Sequence, residues 1–154
     1  MRRVHVTCGA ALAAAVLAGC AVQNTAAPPF KPVANIDQLM DGVLTPAAEV
    51  YWDAVSIVVD ESGETENFPE TDEEWEAVWG AAITLAESGN LLMMSPRAVD
   101  DGEWMRMAEA MVDVGIDAAA AAEAQDPDAV LEVGERVYNV CLDCHNRYVV
   151  DVVD

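Results

Sequence analysis

The sequence predicts an all-α fold in which four helices form an antiparallel bundle. Apolar residues recur every three or four positions in four segments, each long enough for a helix of roughly 20 residues. Short connections separate these segments, and short connections favour antiparallel neighbours. No strand alternation and no glycine-rich phosphate loop is evident. A chain of 154 residues can bury one core of this kind.

The first predicted helix runs from about residue 36 to residue 59, and Met40 lies on its apolar face. Pro46 falls inside this segment. Because proline has no backbone N–H, we expect a kink or a short break there. Residues 60–70 are acidic and contain glycine and proline, which predicts a loop.

The second helix has a clear start signal. Thr71 is followed three residues later by Glu74, which predicts a capping box. Gly89 is the expected C-terminal cap, and residues 90–99 are expected to form a connector. The third helix is expected from about residue 100 to residue 124.

The fourth helix is predicted to begin at the pair Asp126-Pro127. Asp126 is a favoured N-cap, and proline is favoured at the first helical position. Apolar residues keep helical spacing from there, so we expect this helix to continue to about Val150.

The N-terminus resembles a bacterial lipoprotein signal peptide. A basic start precedes an apolar run, residues 10–18, which is too short to span a membrane comfortably. Leu17-Ala18-Gly19-Cys20 resembles a lipobox, which implies removal of residues 1–19 and lipidation of Cys20. The alternative is an ordinary signal peptide cut nearby. Residues 20–34 carry several prolines and predict a flexible tether, which leaves 35–154 as the folded domain.

The charge balance is strongly acidic. The chain has 7 Lys and Arg residues against 28 Asp and Glu residues, a formal net charge of −21. Removal of residues 1–19 takes two arginines, so the mature charge is 5 − 28 = −23. Such a surface argues against binding to nucleic acid or directly to anionic lipid. It suits a basic protein partner, or solubility in a high-salt habitat.

The sequence Cys141-Leu142-Asp143-Cys144-His145 is the most informative motif in the chain. On a helix, the two cysteines and the histidine fall on one face. Two thioethers can then form with one haem while the imidazole points at its iron from the same side. This pattern is the c-type haem attachment motif, and export agrees with it. One covalently bound haem c is therefore predicted.

Three other interpretations of the motif remain open. Cys141 and Cys144 could form a redox-active disulfide, although the βαβ context of thioredoxin-like motifs is absent. They could bind zinc with His145, although a structural site needs a fourth ligand. They could also be inert core thiols.

The haem motif in the last of four predicted helices, with Tyr148 three residues after the histidine, resembles the cytochrome c′ family. The resemblance covers about residues 35–150 and includes the low-spin, methionine-ligated members. It implies a four-helix bundle with haem near the C-terminal helix, His145 as the fifth iron ligand, and a possible homodimer. It also implies that a first-helix residue faces the other side of the haem.

The resemblance places that first-helix residue near Met40, and the alternative is that Met40 is a plain core residue. Family members with methionine there are six-coordinate and transfer electrons, whereas members with an apolar residue there are five-coordinate and bind NO or CO. Competing thioethers are Met93, Met94, Met105, Met107 and Met111. Val149 stands where the family often has a basic residue. Candidates to pair a haem propionate are Arg147, Arg136 and Arg106.

These observations predict an electron carrier and not an enzyme. His5 leaves with the leader, so His145 is the only histidine of the mature chain and no second histidine serves acid–base catalysis. We expect a periplasmic, membrane-anchored electron-transfer protein with a basic redox partner. The alternative is a five-coordinate haem protein that binds NO or CO.

Overall fold

The computed structural model describes residues 30–149, apart from the side chain of Asp60, and this part is mostly helical. The expected leader 1–19, Cys20, most of the tether and the last five residues lie outside it. The N-terminal helix consists of α1, a π-helical turn and α2, and the three long helices α3, α4 and α5 follow. Their bounds are Ile36–Leu39 for α1, Met40–Leu44 for the π-helical turn, Thr45–Asp53 for α2, Asp72–Met93 for α3, Glu103–Glu123 for α4 and Pro127–Tyr148 for α5.

The helices pack against each other around one core. Contacts join α2 to α3, α3 to α4, α4 to α5 and α5 to α2. The centre of this core is apolar, and Ala82, Leu85, Ala118 and Val137 have no exposed surface there. The prediction of a mostly helical fold is confirmed. No helix among the described residues is long and apolar enough to cross a membrane.

The predicted start signals lie where the helices begin. The Thr71 side chain accepts a hydrogen bond from the Glu74 amide, and the Glu74 carboxylate accepts one from the Thr71 amide. The Asp126 carboxylate accepts from the Ala129 amide at 3.1 Å. These caps satisfy amides that have no partner inside the helix, so they fix the starts of α3 and α5.

The N-terminal helix differs from the prediction in two ways. Its irregularity lies just before Pro46, in the π-helical turn Met40–Leu44, where the Thr45 amide donates to the Met40 carbonyl. Proline cannot donate to the preceding turn, and a wider turn accommodates it. The helix also ends at Asp53 and does not reach residue 59.

A β-hairpin replaces the predicted helix end and the predicted loop. Strand β1, Ser56–Asp60, pairs in antiparallel fashion with β2, Gly63–Asn67. The turn has two residues, and Gly63 has φ of 130°, a conformation that favours glycine. The expectation that no strand occurs was therefore wrong. β-branched side chains at 57–59 favour the extended backbone over a continued helix.

Gly89 is not a helix cap, because α3 continues to Met93. A Cβ at this position would lie 2.5 Å from the Ala108 carbonyl oxygen on α4. Gly115 on α4 has the same role, since a Cβ there would lie 2.5 Å from the Ala86 amide nitrogen. Both glycines allow α3 and α4 to approach closely.

Candidate functional site

A cavity of about 350 Å³ lies between the N-terminal helix, α3, α4 and α5. Its size falls in the range of small-molecule and cofactor sites. Most of its wall is apolar: the N-terminal helix contributes Leu44 and Ala48, α3 contributes Leu85 and Leu92, and α4 contributes Ala108. Few polar groups line the cavity, so only a few of its side chains can coordinate or covalently attach a ligand.

The predicted motif lines this cavity. Cys141, Cys144 and His145 all contribute to its wall from the last two turns of α5. The cysteines are half-buried separate thiols, and His145 is exposed. Helical spacing brings all three side chains to one face, as the sequence predicts.

Burial raises the pKa of both thiols above the usual value for cysteine. Desolvation is the main cause for Cys141, with a further contribution from neighbouring Cys144, and desolvation is the cause for Cys144. The thiols are therefore protonated at neutral pH. A redox-active cysteine pair needs the opposite shift, toward a stable thiolate. This environment disfavours the disulfide interpretation of the motif.

Three methionines bring thioethers to the same cavity. Met40 reaches it from the π-helical turn, and Met107 and Met111 reach it from α4. Met93, Met94 and Met105 do not line it. The side chain of Met40 packs against a small apolar cluster that contains Leu39, Leu92 and Trp104. Of the five methionines that compete with Met40 as a possible ligand, only Met107 and Met111 therefore line the cavity.

Tyr148 lies beside the cavity and not in its wall. Its hydroxyl donates to Asp100 Oδ2 at 2.5 Å, and its ring meets the Trp104 ring edge-on with centroids 5.0 Å apart. Asp100 Oδ1 also accepts from the amides of Gly102 and Trp104. We call Tyr148, Asp100 and Trp104 the latch, because they join the end of α5 to the start of α4.

The latch sets the charge states of its members. Hydrogen bonding, first of all from Tyr148, lowers the pKa of Asp100 below its usual range. Desolvation and the hydrogen bond to Asp100 raise the pKa of Tyr148 to about 12. At neutral pH, Tyr148 is therefore a neutral phenol and Asp100 is a carboxylate. Trp104 contacts the Tyr148 ring and also lines the cavity.

The arginines named as propionate partners have different surroundings. Arg106 pairs with Glu103 at 2.5 Å, and Arg136 pairs with Asp117 at 2.5 Å. Arg147 is exposed and places its guanidinium carbon 5.4 Å from the centre of the Tyr148 ring. None of the three lines the cavity. Arg147 lies in the last turn of α5, the helix that carries the motif. Of these three arginines, it is the one that has no ion pair among the described residues.

Sequence reasoning missed Arg97, which is only 6% exposed. Its Nε donates to the Ala34 carbonyl and its Nη1 to the Leu91 carbonyl, each at 3.0 Å. These bonds fix the start of the N-terminal helix, which carries Met40, to the end of α3. The only sequence signal is an isolated arginine in a connector.

Trp52 and Tyr138 form the aromatic edge of the cavity. Their rings meet at an angle of 63° with centroids 6.2 Å apart. The Trp52 indole N–H donates to the Gly134 carbonyl at 3.0 Å, which fixes the ring against α5. Both residues are partly exposed, so this edge of the cavity reaches the surface.

Two thiols, one imidazole and three thioethers thus line an apolar cavity. In residues 30–149, no group of three or more His, Cys, Asp or Glu side chains is arranged to hold a metal ion. No family model, curated protein or solved structure matches the chain.

Proposed function

We propose that the protein is an exported mono-haem c-type cytochrome that transfers electrons, with its haem in this cavity. The observation that carries the proposal is that Cys141, Cys144, His145 and Met40 line one apolar cavity. Met40 lies near the start of the domain and the motif near its end. Helix packing, and not sequence proximity, therefore puts Met40 and the motif in the wall of one cavity. This donor set fits a covalently attached haem.

Each side chain has a distinct role in the proposal. Cys141 and Cys144 would hold the haem through thioethers, and the imidazole of His145 and the thioether of Met40 would bind its iron. When bound, the haem supplies a one-electron redox couple. The apolar wall excludes water, and methionine ligation favours a raised reduction potential, which suits electron transfer.

The proposal extends to the fold and its family. The circuit of contacts from α2 through α3 and α4 to α5 and back supports an antiparallel four-helix bundle. The motif near the end of α5 supports a cytochrome c′-like protein of the low-spin, methionine-ligated type. We place Tyr148 near the haem as part of the latch and Arg147 as the candidate partner of a propionate.

We also propose that Cys20 is lipidated and anchors the protein in the periplasm. The acidic domain is unsuited to anionic lipid, so acyl chains provide the membrane affinity. Replacement Cys20→Ser should move the protein to the soluble periplasmic fraction. An unmodified N-terminal residue in a parent protein that is already soluble would contradict the anchor.

Coordination state separates electron transfer from gas binding. The proposal predicts a low-spin reduced spectrum, weak CO binding and, in the oxidised protein, the methionine-to-iron charge-transfer band. A high-spin reduced spectrum with ready CO binding would instead support the five-coordinate protein that binds NO or CO.

A further inference from the structure

The β-hairpin exposes apolar side chains far from the cavity. Ile57, Val58 and Val59 of β1 are 49%, 54% and 73% exposed, and Phe68 after β2 is 43% exposed. Single exposed apolar residues are ordinary, but Ile57 and Val59 lie two apart on one strand and so share a face, and neighbouring exposed apolar side chains of this kind mark a candidate interaction site. The hairpin is therefore a candidate docking element.

One face of the hairpin combines apolar and acidic groups. The register pairs Ile57 with Glu66 and Val59 with Glu64. Directly opposed residues project to the same side of an antiparallel pair, and so do residues two apart on a strand. We call these four residues the hairpin face.

The carboxylates of this face have no internal counter-charge. Residues 56–70 contain five acidic residues and no Lys, Arg or His. The two ion pairs among the described residues, Arg106–Glu103 and Arg136–Asp117, lie on α4 and α5. Glu64 and Glu66 are exposed, so their carboxylates can form ion pairs with lysine or arginine side chains of another molecule.

We propose that the hairpin face binds a partner protein that presents lysine or arginine side chains around an apolar centre. The alkyl stems of such side chains pack on Ile57 and Val59, and their charged ends reach Glu64 and Glu66. A second copy of this chain does not fit, because its net charge is −21. Anionic lipid does not fit for the same reason.

This surface is separate from the cavity. The cleft beside the hairpin is lined by Ile57, Glu66 and Leu131, and Leu131 lies ten residues before Cys141 on α5. Ten helical residues span about 15 Å. The hairpin face can therefore bind a partner without forming part of the cavity wall, and the inference does not depend on the proposed function.

The test uses a ten-residue peptide of alternating lysine and leucine as the probe, titrated into the protein in low salt. Glu64→Gln with Glu66→Gln should weaken binding by about threefold or more, as expected for two exposed ion pairs. Ile57→Ser with Val59→Ser should remove the preference for this peptide over one of alternating lysine and serine. The matched control neutralises two exposed acids of α4, Glu109→Gln with Asp113→Asn, and should change binding by less than about twofold.

Other outcomes would overturn the proposal. Equal weakening by the hairpin and control variants would mean that only overall charge attracts the peptide. A dimer in sedimentation that is lost in Ile57→Ser with Val59→Ser would make the face a contact between copies. Binding of the parent protein, but not this variant, to phosphatidylcholine vesicles would make it a membrane contact. Because Glu→Gln keeps side-chain shape, that variant tests the charges even if the serine variant is less stable.

Discussion

At the scale of single residues, the position of Met40 separates it from the other cavity methionines. Met107 and Met111 are buried in the regular helix α4, whereas Met40 is half-buried in the π-helical turn. π-helical turns are rare and frequently occur at functional sites. Met107 and Met111 therefore have the ordinary surroundings of core residues, and Met40 is the cavity thioether that we propose as the ligand.

Replacement of Met40 by alanine should remove the distal ligand. We expect a lower reduction potential, loss of the charge-transfer band and CO binding to the reduced protein. Met107→Leu and Met111→Leu are the controls, and each should keep the band. If one of the control variants loses the band and Met40→Ala keeps it, the distal ligand comes from α4.

The latch gives a second residue-scale prediction, measured as the free energy of unfolding against pH. The contacts that raise the pKa of Tyr148 to about 12 stabilise the folded protein at full strength below pH 10, the usual pKa of tyrosine. This contribution is lost as pH rises from 10 toward 12. Tyr148→Phe keeps the ring contact with Trp104 but removes the hydroxyl, so its stability should fall less over that range. Parallel curves for the parent protein and the variant would contradict the latch.

Residues in a local pattern could be predicted from the sequence, and residues joined by long-range contacts could not. The Cys-x-x-Cys-His motif is visible because five consecutive residues carry it. The bonds of Arg97 to Ala34 and of Tyr148 to Asp100 join distant parts of the chain. No spacing rule indicates such pairs, because only helix packing brings them together.

At the scale of helices and strands, N-caps and competing backbone propensities explain which predicted elements were right and which were wrong. The starts of α3 and α5 were predictable because Thr71 and Asp126 are strong N-caps. The hairpin was missed because its apolar residues at 57–59 also extend the helical pattern of α2. Strand pairing with 63–67 decides between the two structures, and periodicity alone does not contain that information.

Gly89 provides the element-scale prediction. Gly89→Ala would place Cβ 2.5 Å from the Ala108 carbonyl oxygen and 2.6 Å from Val112 Cγ2, so α3 and α4 must separate. We expect a loss of about 1–3 kcal/mol in the free energy of unfolding by urea denaturation. Gly80→Ala on the same helix has no atom within 4 Å of its Cβ and should stabilise the protein by about 0.5–1 kcal/mol. A stabilising Gly89→Ala would show that α3 and α4 are not in close contact.

At the scale of the whole molecule, the basic groups do little to offset the acidic surface. Arg97 is buried against carbonyl groups, and Arg106 and Arg136 already pair with carboxylates. A molecule with net charge −21 therefore presents few free cations to a partner. From the charge and the exposed hairpin we expect association with a basic protein, at a rate that falls as salt rises.

We propose that haem is attached covalently to Cys141 and Cys144. The direct measurement is haem retention by the purified mature protein after acid–acetone extraction. We predict that haem stays with the polypeptide, that Cys141→Ser with Cys144→Ser loses it, and that Cys20→Ser keeps it. Complete extraction of haem from the parent protein would contradict the c-type assignment and the function proposed from it.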